Sequence, residues 1–108
     1  MSALLCLSAC PDPETAGRIA AALVDERLAA CVNVLPGLRS VYRWHGKVEN
    51  AEETLLLIKT TQDRLERVSA RIVELHPYEL PEVIAVEAAG GLPAYLDWIA
   101  AQTREEDR

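Results

Sequence analysis

The chain contains no phenylalanine, and only two Trp and three Tyr are spread over its 108 residues. Its core must therefore be packed from Leu, Ile, Val and Ala, and each aromatic is a special placement. Three cysteines, Cys6, Cys10 and Cys31, form an odd set with no Cys-x-x-Cys pair. That excludes a disulfide framework and favours a reducing compartment. Cys6 and Cys10 fall on a strand pattern, about 13 Å apart, too far to share a metal or a bridge. Cys10 precedes a helix start, where a thiolate is favoured; a buried, unreactive thiol is the alternative. No stretch approaches the roughly 20 apolar residues of a membrane span. The run from Met1 to Leu7 lacks the basic flank and length of a secretion signal. Basic residues are few, 11 Lys and Arg against 17 Asp and Glu, for a net charge of −6. A nucleic-acid or anionic-membrane surface would need Lys and Arg in clusters. A soluble, unprocessed, cytoplasmic protein is expected, with neither nucleic acid nor membrane as partner.

What is present fits a single domain over residues 1–108, since the length allows one core only. Leu4 to Ala9 is a short apolar run closed by Pro11, the mark of a buried central strand. Asp12 supplies an N-cap and Pro13 a first helical position, opening a helix expected to reach Arg27. Cys31 to Leu35 alternates like a strand. Pro36-Gly37 reads as a bulge within it, because strand residues resume through Ser40, Tyr42 and Trp44. His45-Gly46 is a two-residue turn candidate, and a long strand returns from Lys47 to Thr60. Thr60 or Thr61 is the expected cap of a second helix, in which Leu65, Val68, Ile72 and Leu75 form one stripe. Pro77 ends it near His76. Val83 to Val86 is a fourth strand, and Leu92-Pro93 opens a last helix with Leu96 and Ile99 facing inward. The charged tail from Thr103 to Arg108 is expected to fray.

The order β-α-β-β-α-β with a C-terminal helix specifies an α+β fold. It is a ferredoxin-like antiparallel sheet with helices on one face. The central hairpin is long for that plait. An overhanging ribbon carrying Val41, Tyr42 and Trp44 is an exposed edge that another chain should cover, so oligomerisation by strand pairing is expected.

The segment His76-Pro77-Tyr78-Glu79-Leu80-Pro81-Glu82 gathers an imidazole, a phenol and carboxylates on a connection stiffened by two prolines. Such a loop is either a binding site or a rigid connector facing water. His76 is a metal ligand, an imidazolium at the negative end of the second helix, or, as a lone histidine more often is, a structural side chain. As a ligand it would need carboxylate partners such as Glu49 or Glu82. Glu49 and Glu53 lie four residues apart on one strand, about 13 Å, and form no close pair by themselves. Lys59 ends the apolar run Leu55 to Ile58 and either snorkels or pairs with a buried acid across an interface. Tyr42 and Trp44 suit interface packing, with stacking on a ligand as the less frequent alternative.

Read in order, Leu28-Ala29-Ala30-Cys31-Val32-Asn33, Pro36-Gly37, Ser40 to Gly46, Ile58-Lys59-Thr60, His76-Pro77-Tyr78 with Pro81-Glu82, and Tyr95-Leu96-Asp97-Trp98 resemble the CutA family of divalent-cation tolerance proteins. The likeness runs from about Leu5 to Ile99. It implies a ferredoxin-like subunit of a tight homotrimer, cytoplasmic in bacteria, linked to copper and other divalent cations and likened to trimeric signalling proteins of the PII type. It also implies an inter-subunit cleft, which maps here to Tyr42, Trp44, Glu49, Glu53, Lys59, His76, Tyr78 and Glu82. Some bacterial members hold copper by a first-strand Cys and two adjacent His. Here the strand position is Ser8, the first His is Leu75, and only His76 remains. Loss of the soft thiolate counts against copper held that way.

Three classes of function compete. A trimeric sensor of a metal ion (copper or zinc) or a small ligand needs no catalytic cofactor. A scaffold trimer with no physiological metal is its alternative. An enzyme of the acylphosphatase kind would need a glycine-rich anion loop with an Arg after the first strand, and Ala9-Cys10-Pro11-Asp12 stands there. No nucleophile–base arrangement appears either, so no enzyme is expected. An RNA-recognition domain would need aromatics on strands one and three and a basic surface, and has neither here.

Overall fold

A computed structural model of the chain describes residues 2–104. Strand β1 (Ala3–Cys10) leads into helix α1 (Pro13–Asp25), then β2 (Cys31–Trp44), β3 (Lys47–Thr61), a single 3-10 turn (Gln62–Arg64), α2 (Leu65–Leu75), β4 (Ile84–Glu87) and α3 (Pro93–Gln102). The four strands form one sheet in the order β2-β3-β1-β4, and each neighbouring pair is antiparallel. This is the ferredoxin-like order expected from the sequence.

Alternation along the strands splits the sheet into two faces. Cys6 and Cys10 on β1 and Leu56 and Ile58 on β3 face the helices and are buried. They pack with Ala16, Ile19 and Leu23 of α1 and Val68 and Ile72 of α2 in one core cluster. The other face has no such cover. Leu5, Leu7, Leu55 and Leu57 are half-buried there. Ile84 and Val86, paired with Leu7 and Leu5, remain 57% and 54% exposed.

The helix boundaries follow their caps. The Asp12 side chain accepts from the Thr15 backbone N–H at 2.7 Å, and Pro13 occupies the first turn. At the other end the chain leaves the helix earlier than expected, at Asp25 rather than Arg27. Arg27 adopts φ +59°. Its N–H bonds to Val24 O while Leu28 N–H reaches back to Leu23 O, the paired bonds of a Schellman ending. The expected threonine cap of α2 is not made. Thr61 stands at the start of the 3-10 turn without capping it, donating instead to Asp63, while Thr60 donates to Leu28 O. Strand β4 begins at Ile84, one residue after the expected Val83.

The hairpin is built as its sequence demands. The β2–β3 register shifts between Leu35 and Leu38, where Gly37 takes φ +82°. That is the bulge read from Pro36-Gly37. Trp44 pairs with Lys47 around His45 and Gly46, both at positive φ, 50° and 77°, as a two-residue turn of the primed type requires. The ribbon stretches the molecule to 47 × 30 × 22 Å. The expected fraying does not begin at Thr103, which is buried and donates to Ile99 O at 2.9 Å. Residues 105–108 lie outside the described residues.

Candidate functional site

Where the base of the hairpin meets the end of β1, the loop after α2 closes a cleft of about 770 Å³. Its walls come from Ser40–Trp44 of β2, Glu53 of β3, Ala9 of β1 and the segment Pro77 to Glu82. By register, Ser40, Tyr42 and Trp44 lie on the same side of the ribbon as Glu53. Five sequence candidates, Tyr42, Trp44, Glu53, Tyr78 and Glu82, thus come together. Two do not. Glu49 pairs with Tyr42 but stands exposed on the ribbon beyond the cleft lining. Lys59 lies six residues from Glu53 along β3, about 20 Å away. Among the described residues its ammonium meets no acid; it donates to Asn33 Oδ1, with Cys31 Sγ at 4.0 Å.

His76 is the foundation of the loop rather than part of its wall. It ends α2, its backbone turning extended at φ −83°, ψ 136°, as the following proline demands. The ring is buried. Nδ1 accepts from the Tyr78 backbone N–H at 3.2 Å, so the proton resides on Nε2, which donates to Ala9 O at 2.7 Å. Both nitrogens are therefore engaged within the fold, and the side chain braces α2 against β1, the structural role that a lone histidine more often has. Tyr78 stacks against that ring, centroids 4.6 Å apart and tilted by 55°.

The Tyr78 hydroxyl donates to Glu53 Oε2 at 2.6 Å. Glu53 is only 9% exposed. Burial, then the hydrogen bond to Glu53 and the charge of that carboxylate, push the Tyr78 phenol well above its ordinary range. Glu82 is exposed as a residue, yet partial burial of its carboxyl and then the charge of Glu53 raise its pKa. Beneath the cleft floor, Cys10 is pushed up to about 11 by burial, then by Glu53, Asp12 and Glu82. Of the two sequence readings of Cys10, this agrees with the buried, unreactive thiol rather than the helix-start thiolate. Cys6 rises likewise, to about 11, mainly by burial.

These groups do not fit a resident metal. A soft ion would want a thiolate or a free imidazole, and here the thiol is held protonated and the imidazole is engaged. Among the described residues, no three His, Cys, Asp or Glu side chains are gathered as a metal centre. Nor is any described helix long and apolar enough to cross a membrane.

Sequence reasoning missed the brace, because nothing in a sequence pairs His76 with a carbonyl 67 residues earlier. It also missed the apolar open face. The alternation of Leu5 and Leu7, and of Leu55 and Leu57, against equally apolar neighbours was the available signal: these strands are apolar on both sides.

Residues 4–102 match the family described as CutA1 divalent ion tolerance protein. The chain is 50% identical over 93 residues to the divalent-cation tolerance protein CutA of Thermus thermophilus, covering 86% of this chain and 90% of that one. It is 46% identical over 94 residues to the chloroplastic protein CutA of Arabidopsis thaliana, covering 87% of this chain but 52% of the plant protein. The crystal structure of CutA from Xylella fastidiosa shares the fold with a TM-score of 0.93 at 48% identity, covering 96% of this chain and 100% of that one. With nearly its whole length matched and its architecture shared, the chain belongs to the CutA1 divalent ion tolerance family.

Proposed function

We propose that the protein is a cytoplasmic homotrimer that serves divalent-cation tolerance by binding a small ligand in the cleft between hairpin and loop, without catalysis. The observation that carries this reading is the cleft itself. A volume of about 770 Å³ lies within the range of small-molecule sites, roughly 300–1,000 Å³, and far exceeds a bare ion. Its groups are poised to hold rather than to react: the nearby thiol and phenol are both kept protonated, which removes the obvious nucleophile and base. A binding protein whose occupancy follows the ionic state of the cell would act as a sensor, in the manner of small trimeric signalling proteins.

Trimer assembly draws support from the apolar sheet face and the unpaired outer edge of β2, which is 14 residues long. The subunit exposes 6910 Å², against about 6,000 Å² for a compact monomer of its mass. Three cysteines without a bridge suit a reducing cytoplasm, although the Arabidopsis relative is named for the chloroplast.

A second reading concerns copper. The engagement of both His76 nitrogens favours tolerance served by the cleft ligand over copper or zinc held at His76. Growth under copper stress tests the cleft. Cells lacking their own relative should recover with the wild-type chain and with a His76→Gln chain that folds. The Tyr42→Ala/Trp44→Ala chain should not rescue them while still assembling. Equal rescue by that double variant would remove the cleft from the function.

A further inference from the structure

We propose that the occupant of the cleft is a small organic cation, an ammonium or guanidinium group carried on an apolar body. The inference rests on the reading of the cleft as a ligand site and names what enters it. Charge provides the first argument. Glu53 is 9% exposed, its Oε2 takes the Tyr78 hydroxyl, and among the described residues no Lys, Arg or His pairs with it. A buried carboxylate without a cation is costly, and a positively charged guest removes that cost. Glu79 and Glu82 also line the cleft, against the single guanidinium of Arg43, so the lining is negative as a whole.

Shape and surface chemistry provide the second. Tyr42, Trp44 and Tyr78 bring three aromatic rings to the same cleft, and ring faces attract cations that are poorly hydrated. The rings are held in place from outside the cleft. Tyr78 leans on the His76 ring at 4.6 Å, and Trp44 meets the edge of His45 at 4.8 Å. A hard metal ion wants six or more oxygen donors converging on one point, and among the described residues no three His, Cys, Asp or Glu side chains converge that way. An organic cation uses both features at once: its charge meets Glu53 and Glu82 while its apolar body lies against the rings.

The test uses three soluble ligands of nearly one shape that differ in charge. Benzamidine (cationic), benzamide (neutral) and benzoate (anionic) are titrated into the assembled protein by calorimetry and tryptophan emission, with zinc chloride alone as a fourth arm. Benzamidine should bind at least about tenfold more tightly than benzamide, and benzoate not at all. Glu53→Gln and Trp44→Ala should each weaken benzamidine by about tenfold. Glu82→Gln, on an exposed residue, serves if the Glu53 variant fails to fold. Benzamide binding as well as benzamidine, or benzamidine indifferent to all these variants, would overturn the cation assignment and leave the ligand site standing. Zinc alone displacing benzamidine at lower concentration would reassign the cleft to metal. Binding of none of the four would take the ligand-site reading down with the proposal.

Discussion

The phenol of Tyr78 donates to the carboxylate of Glu53 across 2.6 Å, fastening the loop after α2 to the stalk of the hairpin. The two residues lie 25 apart in sequence, so this contact ties two otherwise separate elements into one cleft. Tyr78→Phe leaves Glu53 without that donor. It should cost about 1.5–3 kcal/mol, the typical worth of a hydrogen bond to a charged group. The sign of the pH effect follows from the raised phenol pKa. The folded protein holds the Tyr78 proton more tightly than the unfolded chain, so stability is intact below the ordinary tyrosine value of 10.0 and falls as pH rises above it. Thermal melts from pH 8 to 11 should show a steeper alkaline loss in the wild type than in Tyr78→Phe. Parallel curves would contradict the assignment.

His76 predicts a division between stability and metal binding. His76→Ala leaves Ala9 O and the Tyr78 N–H without partners inside the protein. It should destabilise by about 2 kcal/mol or more. His76→Gln, which retains a donor and an acceptor, should lose less. Zinc or copper(I) affinity, measured on folded, tag-free protein, should be the same in wild type and His76→Gln. A marked drop in the variant would return the imidazole to the role of ligand.

Glu82 gives the opposite sign to an ordinary paired carboxylate. Its pKa is raised by burial and by Glu53, so the folded state is penalised while Glu82 is ionised and relieved as it takes up a proton. Glu82→Gln should therefore be slightly more stable than wild type at pH 7, by under ~1 kcal/mol given its solvent exposure. The gain should shrink as pH falls through the carboxylate range. A variant less stable at neutral pH would show that Glu82 has a favourable partner.

Ser8 stands on the helix-facing side of β1 between Cys6 and Cys10, is fully buried at 0% exposure, and its hydroxyl has no hydrogen-bond partner among the described residues. An unsatisfied buried hydroxyl costs about 1–3 kcal/mol. Ser8→Ala removes it at little loss of volume and should raise the melting temperature by a few degrees. A lower melting temperature would mean that Ser8 does bond within the assembled protein.

Much of this molecule could be read from its sequence, for local reasons. Asp12-Pro13, Pro36-Gly37 and His45-Gly46 each fix backbone geometry within a few residues. The helix start, the bulge and the turn therefore lie where those pairs place them. Helix α1 ended early because a Schellman ending usually announces itself by glycine, and here Arg27 takes the left-handed position. Tyr42, Trp44, Glu53, Tyr78 and Glu82 could be named from the family likeness. What they do to one another could not. The Tyr78–Glu53 bond, the His76–Ala9 brace and the separation of Lys59 from the cleft depend on register and on long-range packing, which no local pattern encodes.

In the proposed homotrimer the open sheet face is the contact between copies, and one variant addresses it. Ile84 is 57% exposed on β4, so Ile84→Glu should leave a lone subunit nearly as stable as before while placing a charge in the apolar contact between copies. The most direct measurement is native mass spectrometry of the wild-type chain and Ile84→Glu at micromolar concentration. The wild type should appear at three times the subunit mass and the variant largely as monomer. A wild-type chain that is monomeric at that concentration would contradict the homotrimer and, with it, the shared cleft.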